Sequence, residues 1–538
     1  MLFAPSGSTR RSRRHLIALT GVAIAAATVL AGCTSDGGSG GSGAGGSSSA
    51  RAQTLIIAEN EVPASFDPAQ ADNSTVDEVV LPAYDTLVSY DGNKLGGDLA
   101  TSWKVSADGL SIDVVLHDGV TFHDGTTLTA DDVAYTLDRL HTVNIGAASF
   151  LTAYKATTVT DPTHLTITLS TPDATFVPAL SRVYVVEKAL VEKNLGSDNG
   201  QAWLATHDAG SGPYVLQKYV SNQSATYAQY AKYWKGFTGQ AKKLEFHYFS
   251  SAAEESQALK AGDVDIAMDI APSEWAAYQK DSGFTVDQAT TNVGLYAFFN
   301  MAGTSTKDKA LRQAISMAYD YKSHVSSILK GAGTEMDGVL PTGFGIPTDG
   351  VTQPSYDLKA AKQLVDSNGL SGTTVTMTYF KATTEMEQAA TLLQSALDQI
   401  GLKLKVQAVT YPAYVTMASK ASTRPDIAEV YAFPAFPDPS AIMYQNFDSK
   451  FIGSGQNWGA YSNPEVDKLV EAAQSSTDES ARKADYLKAE QIVTGDYVTI
   501  NMANSKYVTV FDKRVQGYTY QPSHHQTVDV YAITLSGK

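Results

Sequence analysis

Thr373-Thr-Val-Thr-Met-Thr-Tyr-Phe380 begins the stretch that decides the fold, because the spacing of apolar residues changes regularly after it. Its β-branched and aromatic residues predict a strand, and the helical spacing over Glu385–Ile400 predicts the helix that follows. A second strand is predicted over Leu402–Val409, a second helix over Tyr411–Lys420 and a third strand over Ile427–Tyr431. This βαβαβ order builds a parallel sheet through right-handed crossovers. The sequence therefore predicts an α/β fold.

The loop after the third predicted strand is the first candidate binding surface. Ligands of open α/β sheets bind beyond the carboxyl ends of the strands. Ala432-Phe433-Pro434-Ala435-Phe436-Pro437-Asp438-Pro439 lies directly after Tyr431. Its prolines stiffen the backbone and its two phenylalanines project from it, which is typical of an apolar-lined pocket. The alternative is that Phe433 and Phe436 pack under the loop as core residues.

Upstream, residues 99–133 hold the densest set of turn and cap signals. Asp108-Gly109 predicts a hairpin turn after a strand over Leu99–Lys104. Thr129, with Asp132 three residues later, predicts a capped helix start. At the other end of the chain, closing strands are predicted over Tyr497–Met502, Tyr507–Phe511 and Val515–Tyr520.

Several motifs in one order link these regions. They are Leu99-Ala-x-x-Trp-x-x-Ser-x-Asp-Gly109, Leu116-His-Asp-Gly-Val-x-Phe-His-Asp-Gly125, Ala130-Asp-Asp-Val133, Gly210-Ser-Gly-Pro-Tyr214, Tyr233-Trp-Lys-Gly236, Leu311-Arg-Gln-Ala-Ile315 and Tyr461-Ser-Asn-Pro-Glu-Val-Asp467. The set resembles solute-binding protein family 5, the peptide- and nickel-type binding lipoproteins of bacterial ABC importers. One departure is His117, which stands where the family usually has Arg.

The resemblance covers essentially all of residues 54–538 and implies a two-lobed, periplasmic-binding-protein-like (Venus-flytrap) fold. Lobe I would comprise 54–290 and a return segment over 508–538, and lobe II would comprise 291–507, so that two chain crossings form the hinge. The implied protein is a monomer without a cofactor. It captures a peptide-like or other organic solute between its lobes and delivers it to the permease subunits of an ABC importer.

The resemblance also implies a ligand surface on lobe I and raises one doubt about the ligand. Glu61-Val62-Pro-Ala-Ser65, at the carboxyl end of the first strand, matches a ligand-contacting loop. Trp458 would either close over a ligand or plug lobe II. Ala435 stands where peptide binders carry the Asp that holds the α-amine, so a free-amine peptide is doubtful unless Asp438 or Glu61 substitutes. The candidate ligand-binding residues are Glu61, Val62, Ser65, Tyr431, Phe433, Ala435, Phe436, Asp438 and Trp458.

The N-terminus is predicted to be an export and anchoring signal. Four arginines precede the uncharged run Leu16–Leu30, which fits a signal peptide over 1–32 better than a membrane span. Leu30-Ala-Gly-Cys33 resembles a bacterial lipoprotein box, in which Cys33 would receive the lipid. The Gly/Ser-rich remainder of 33–53 is typical of a flexible tether. The protein would thus be lipid-anchored on the extracytoplasmic face of the cell membrane, after export by the Sec or the twin-arginine route.

Charge and cysteine content exclude other classes. Removing residues 1–32, with four arginines and no acidic residue, moves the formal charge from -16 to -20, which argues against binding nucleic acid. Cys33 is the single cysteine, so the core must hold the fold without disulfides.

An enzymatic role and a bare-metal site have little support in the sequence. It contains neither a Gly-x-Ser-x-Gly elbow nor a His-Glu-x-x-His zinc helix, so a secreted hydrolase is disfavoured. His117 and His123 are interpreted as structural, and His524-His525 as a solvated strand end. A non-transport ligand receptor or a peptide chaperone of the same fold stays open.

Overall fold

The structure, a computed structural model, describes residues 51–381, 384–454 and 456–536. The predicted signal peptide, Cys33 and the tether up to residue 50 lie outside the described residues.

Strands mostly follow one another directly before residue 248 and alternate with helices after it. The strands are β1 (Thr54–Glu59), β2 (Val88–Asp91), β3 (Lys94–Gly97), β4 (Ala100–Val105), β5 (Ser111–Leu116), β6 (Tyr154–Asp161), β7 (His164–Leu169), β8 (Tyr214–Val220), β9 (Ser224–Gln229), β10 (Lys243–Tyr248), β11 (Ile266–Ala267), β12 (Phe284–Phe299), β13 (Gly333–Thr334), β14 (Thr374–Phe380), β15 (Lys403–Val409), β16 (Ile427–Ala432), β17 (Thr499–Asp512), β18 (Val515–Gln516) and β19 (Thr534–Leu535).

The helices cover the faces of the sheets. They are α1 (Ser74–Val80), α2 (Ala130–Val143), α3 (Phe176–Ala179), α4 (Lys188–Lys193), α5 (Gln201–Leu204), α6 (Ala252–Ala261), α7 (Trp275–Lys280), α8 (Lys309–Ala318), α9 (Tyr321–Ser323), α10 (Leu358–Ser367), α11 (Thr384–Gln399), α12 (Tyr411–Ser419), α13 (Ser440–Phe447), α14 (Pro464–Ser475) and α15 (Glu479–Gly495). In the described chain, no helix is long and apolar enough to cross a membrane.

A mixed sheet runs through both predicted lobes. Its strand order is β15-β14-β16-β12-β17-β11-β1-β10-β9-β8, and β13 also pairs with β17. The predicted βαβαβ unit is present, because β14 pairs in parallel with both β15 and β16. The α/β prediction is therefore confirmed, and the parallel strands of lobe II are those that the sequence places there.

Two long strands carry the chain between the lobes. β12 and β17 pair antiparallel from Phe284 and Asp512 at one end to Phe298 and Thr499 at the other, with an irregularity after Thr290. The sequence predicts β17 as two strands, and this prediction is wrong. Its polar centre, which looks like a break, is the part of the strand that runs from one lobe to the other. The proposed lobe boundaries stay a prediction.

Each hydrophobic core consists mainly of residues from one lobe. Two core clusters of lobe II pack on the two faces of the β14–β16 sheet, one with Leu393 and the other with Tyr414. Lobe I has a core around Phe246 and another between α2 and the antiparallel sheet β4-β5-β7-β6. Phe436, from lobe II, is buried in that last core.

The family-like motifs of lobe I hold a buried polar centre together. A Cβ atom at Gly210 would lie 1.9 Å from the Ala83 carbonyl oxygen, so only glycine allows this approach. The Asp85 carboxylate then accepts hydrogen bonds from Ser211 and Tyr233. The Gly210–Tyr214 and Tyr233–Gly236 motifs therefore have a structural role.

Arg139 of α2 forms a bidentate ion pair with Asp67, and both side chains are almost fully buried. Replacing Arg139 with Met leaves the carboxylate of Asp67 buried without its cation. We expect the free energy of unfolding to fall by about 3–5 kcal/mol, as measured by urea denaturation. Lys362→Met removes an exposed ion pair with Asp366 and should cost no more than about 0.5 kcal/mol. Equal losses would contradict the assignment.

Candidate functional site

The candidate site lies between the lobes, where the carboxyl ends of strands from each lobe face one another. β1, β10 and β11 are parallel, so their carboxyl ends lie on one edge of lobe I. β16 runs antiparallel to β12, and its last residue, Ala432, pairs with Gly294 beside the strand irregularity. The loops after β1 and β16 therefore open onto the same cleft.

Aromatic rings line this cleft and touch across it. The Phe433 ring, after β16, lies 5.4 Å from the Tyr431 ring and 5.6 Å from the His525 ring of the lobe I return segment. His525 also packs against Tyr507, at 5.5 Å, and its Nδ1 lies 2.9 Å from the Tyr520 hydroxyl. Phe433 is nevertheless 53% exposed. Part of the ring is therefore open to the cleft, while its contacts with Tyr431 and His525 hold it in place.

The Tyr431 hydroxyl is held by hydrogen-bonded side chains of lobe II. Its hydroxyl donates to Glu385 Oε2 at 2.7 Å, and Glu385 Oε1 lies 3.0 Å from His324 Nε2. Glu385 lies in the first turn of α11, so the helix that follows β14 sets the position of a ring on β16.

The remaining residues of the 433–439 loop contact other parts of the chain. Phe436 is 8% exposed and packs edge-on against Phe150 of lobe I, with ring centroids 6.4 Å apart. Asp438 accepts two hydrogen bonds from Arg482 of α15, at 2.8 and 3.0 Å. Ala435 is partly buried against the same lobe I core as Phe436. Asp438 is thus already neutralised by a cation of the chain, and of the two phenylalanines only Phe433 faces the cleft.

The residues of the loop after β1 differ in their exposure to solvent. Glu61 and Val62 are exposed, and the Glu61 carboxylate accepts from the Thr75 hydroxyl. Ser65 is 3% exposed, and its Oγ accepts from the Asp67 amide at 3.0 Å. Trp458 is buried in a lobe II core, with its ring 5.1 Å from that of Tyr414. Ser65 and Trp458 thus support the walls of the site, whereas Glu61 and Val62 are accessible.

The four histidines considered in the sequence lie in different environments. His123 is held by Asp208 at Nδ1 and by the Gly212 carbonyl at Nε2, and the His117 ring lies tilted against that of Trp234, with ring centroids 4.8 Å apart. His524 and His525 lie in a loop rather than at a strand end, and His524 is buried, so the prediction of a solvated strand end is wrong. Among residues 51–381, 384–454 and 456–536, no group of three or more His, Cys, Asp or Glu side chains could hold a metal ion.

A cavity of about 870 Å³ extends the inter-lobe space on the far side of the 433–439 loop. Tyr90 and Trp103 line it from lobe I, and Arg482 and Tyr486 line it from lobe II. A backbone hydrogen bond from Ala174 to the Gln474 carbonyl, at 2.7 Å, bridges the lobes at its rim.

Sequence reasoning missed His525, Tyr507 and Glu59 as residues of this cleft. Glu59 could have been found, because it is the last residue of β1 and strand ends carry binding sites. His525 had no such signal, since its loop has no recognisable pattern and reaches the cleft only through the packing of the return segment.

A scan against protein-family models matches residues 94–454 to the model described as "Bacterial extracellular solute-binding proteins, family 5 Middle". The Escherichia coli (strain K12) protein named "Probable D,D-dipeptide-binding periplasmic protein DdpA" is 29% identical over 489 residues, covering 89% of this chain and 94% of that protein.

Solved structures show the same fold. HbpA2 from Haemophilus parasuis has a TM-score of 0.80 at 20% identity, covering 90% of this chain and all of that one. The periplasmic binding protein DppA from Helicobacter pylori, in complex with the peptide STSA, has a TM-score of 0.74 at 21% identity, covering 90% and 98% of the two chains.

His525 should make the stability of the protein depend on pH. Burial lowers the pKa of His525 to about 4, below the value of about 6.5 for an unfolded chain. Between these values the unfolded chain binds a proton that the folded protein does not, so stability falls as the pH drops from about 6.5 to 4. Relative to His525→Gln, the wild type should lose at most about 1.4 kcal/mol per pH unit there, measured by urea denaturation at several pH values. Parallel pH profiles would contradict this placement of His525.

Proposed function

Because the chain belongs to the bacterial extracellular solute-binding proteins, family 5, we propose that it captures a peptide-like or other organic solute between its lobes and passes it to an ABC permease. The observation that carries this proposal is the contact of Phe433 with His525 across the ends of β16 and β1. One relative is named a probable D,D-dipeptide-binding periplasmic protein, and one solved structure of the same fold holds the peptide STSA. Both ligands are peptides, which supports a peptide-like solute for this chain.

The mechanism that we propose is hinge closure. β12 and β17 are the strands that join the lobes, so bending them near Thr290 moves the Phe433 ring relative to His525. A bound solute adds contacts to both walls and stabilises the closed arrangement. We propose binding without turnover, by a monomer that carries no cofactor.

We further propose that Cys33 carries a lipid and holds the protein at the extracytoplasmic face of the membrane. The Gly/Ser-rich tether would leave the binding part free to meet a permease.

The binding proposal is tested by mass spectrometry of the protein purified under native conditions. We expect a co-purified organic solute, because closed lobes retain their ligand. Phe433→Ala should lower its affinity about tenfold or more, as the ring offers the exposed aromatic surface of the cleft. Leu195→Ala, which truncates an exposed side chain elsewhere on lobe I, is the control. Equal retention of solute by both variants would contradict the role of Phe433.

The anchor is tested separately with Cys33→Ser expressed in a bacterial host. The wild type should partition into the detergent phase of Triton X-114 because of its acyl chains, and the variant should stay in the aqueous phase. Aqueous partitioning of a wild type that has lost residues 1–32 would overturn the proposed lipidation.

A further inference from the structure

The cavity of about 870 Å³ between the lobes is distinct from the cleft around Phe433. Residues 437–439 form part of its wall, so the 433–439 loop lies between the two spaces. Of the described cleft residues, Tyr431, Phe433 and His525 take no part in the lining of the cavity. Small-molecule sites in proteins typically have volumes of about 300–1,000 Å³, so this space is large enough for a ligand of its own.

The lobe I wall of this cavity is apolar and aromatic. Ile112 and Val177 are buried residues of the core between α2 and the β4-β5-β7-β6 sheet, and both line the cavity. Four side chains pack on this core, remain partly exposed and also line the cavity: Tyr90, Leu95, Trp103 and Val105. Removing such a surface from water is favourable, so the wall is suited to an aromatic ligand.

The lobe II wall adds a buried polar group that lacks a hydrogen bond. Tyr486 lines the cavity and is 1% exposed. Its hydroxyl lies near Arg482 and Ser440 but forms no well-aligned hydrogen bond with a described residue. Burial, and then the Asp438 carboxylate, raise the pKa of Tyr486, so the hydroxyl keeps its proton. Buried polar atoms are nearly always satisfied in a folded protein, and this one is suited to an acceptor atom from a ligand.

The two walls are held against each other at the rim. Gln474 of α14 donates from Nε2 to Asp173 Oδ1 at 2.6 Å and to the Thr175 hydroxyl at 3.0 Å. Its own Oε1 is buried and has no hydrogen-bond partner among the described residues. Across the cavity, Tyr90 of lobe I faces Asp438 of lobe II, because that carboxylate helps to raise its pKa, after burial. A molecule in the cavity would therefore touch both lobes.

The charges of the lining nearly cancel. Four carboxylates and three cations line the cavity: Asp91, Asp173, Asp438, Glu479, Lys94, Arg482 and Lys483. Asp438 is paired with Arg482 at 2.8 Å. Glu479 is paired with Lys483 at 2.6 Å. Burying a charge is unfavourable unless a partner neutralises it, so these walls favour an uncharged ligand.

We propose that this cavity is a second ligand site, which takes an uncharged aromatic molecule that carries a hydrogen-bond acceptor such as a carbonyl oxygen. The aromatic part lies against Tyr90 and Trp103, and the acceptor receives a hydrogen bond from Tyr486. The occupant adds contacts to both lobes and stabilises their closed arrangement, a consequence that rests on the proposed hinge closure. By linkage, the occupant and the solute in the cleft raise each other's affinity by the same factor.

The test uses prodan, an uncharged aryl ketone whose fluorescence moves to shorter wavelengths in apolar surroundings. Titrated into the purified protein, it should bind saturably, with one molecule per chain. Acetylnaphthalene, which keeps the ketone, should displace prodan at least about tenfold more effectively than naphthoate, which has the same rings and a negative charge. Absence of saturable binding, or equal displacement by the two competitors, would overturn the proposal.

Matched variants locate the probe. Ile346 lines the cavity from a loop and is partly exposed, so Ile346→Trp should fold, fill the space and weaken prodan binding at least about tenfold. Tyr486→Phe removes only the hydroxyl and should weaken binding about three- to tenfold. Tyr414→Phe is the control, because its hydroxyl is also buried and unpartnered in the same core but does not line the cavity. Unchanged binding in both cavity variants, or an equal loss in the control, would contradict the site.

Phe433→Ala separates this site from the solute cleft. It should leave the affinity for prodan unchanged while it lowers the affinity for the co-purified solute. If it abolishes prodan binding instead, the probe occupies the cleft, which overturns the second site and leaves the proposed function standing. Prodan should bind at least about fivefold more tightly to solute-loaded than to solute-free protein. Equal affinities would overturn the role of the occupant in holding the lobes together.

Discussion

The antiparallel pairing of β12 with β17 is the constraint on which the rest of the structure depends. These strands belong to the sheets of both lobes, so they fix the direction of every neighbouring strand. Because β16 pairs with β12, and β11 pairs with β17, the carboxyl ends of the parallel strands in both lobes meet near the irregularity after Thr290. This pairing forms the cleft between the lobes. It also places the loops after the parallel strands on opposite sides of that cleft.

In the loop over 433–439, neighbouring side chains have different surroundings. Phe433 remains open to the cleft, Phe436 is buried in the opposite lobe, and Asp438 is held by Arg482. The prolines between these side chains restrict the backbone, which lets three neighbouring positions point to three different partners. The exposed aromatic face of the cleft and a contact between the lobes therefore depend on the same segment.

Local patterns in the sequence predict the elements of the fold well but predict their long-range partners poorly. The βαβαβ unit is predictable because its apolar spacing changes between strand and helix within a few residues. β17 is predicted as two strands, since Asn504, Ser505 and Lys506 suggest a loop unless the second lobe is known. The Asp438–Arg482 ion pair joins residues on a loop and on α15 that no local pattern links.

The burial of Phe436 has a kinetic consequence. Its side chain belongs to lobe II but is removed from water by the core of lobe I, a burial worth about 1.5–3 kcal/mol for a side chain of this kind. Separating the lobes exposes this ring whether or not the cleft is filled. Opening the empty cleft therefore costs this burial before any solute is bound. Capture would be limited by the frequency of that opening rather than by diffusion, and the same ring would slow the escape of the cargo until a permease separates the lobes.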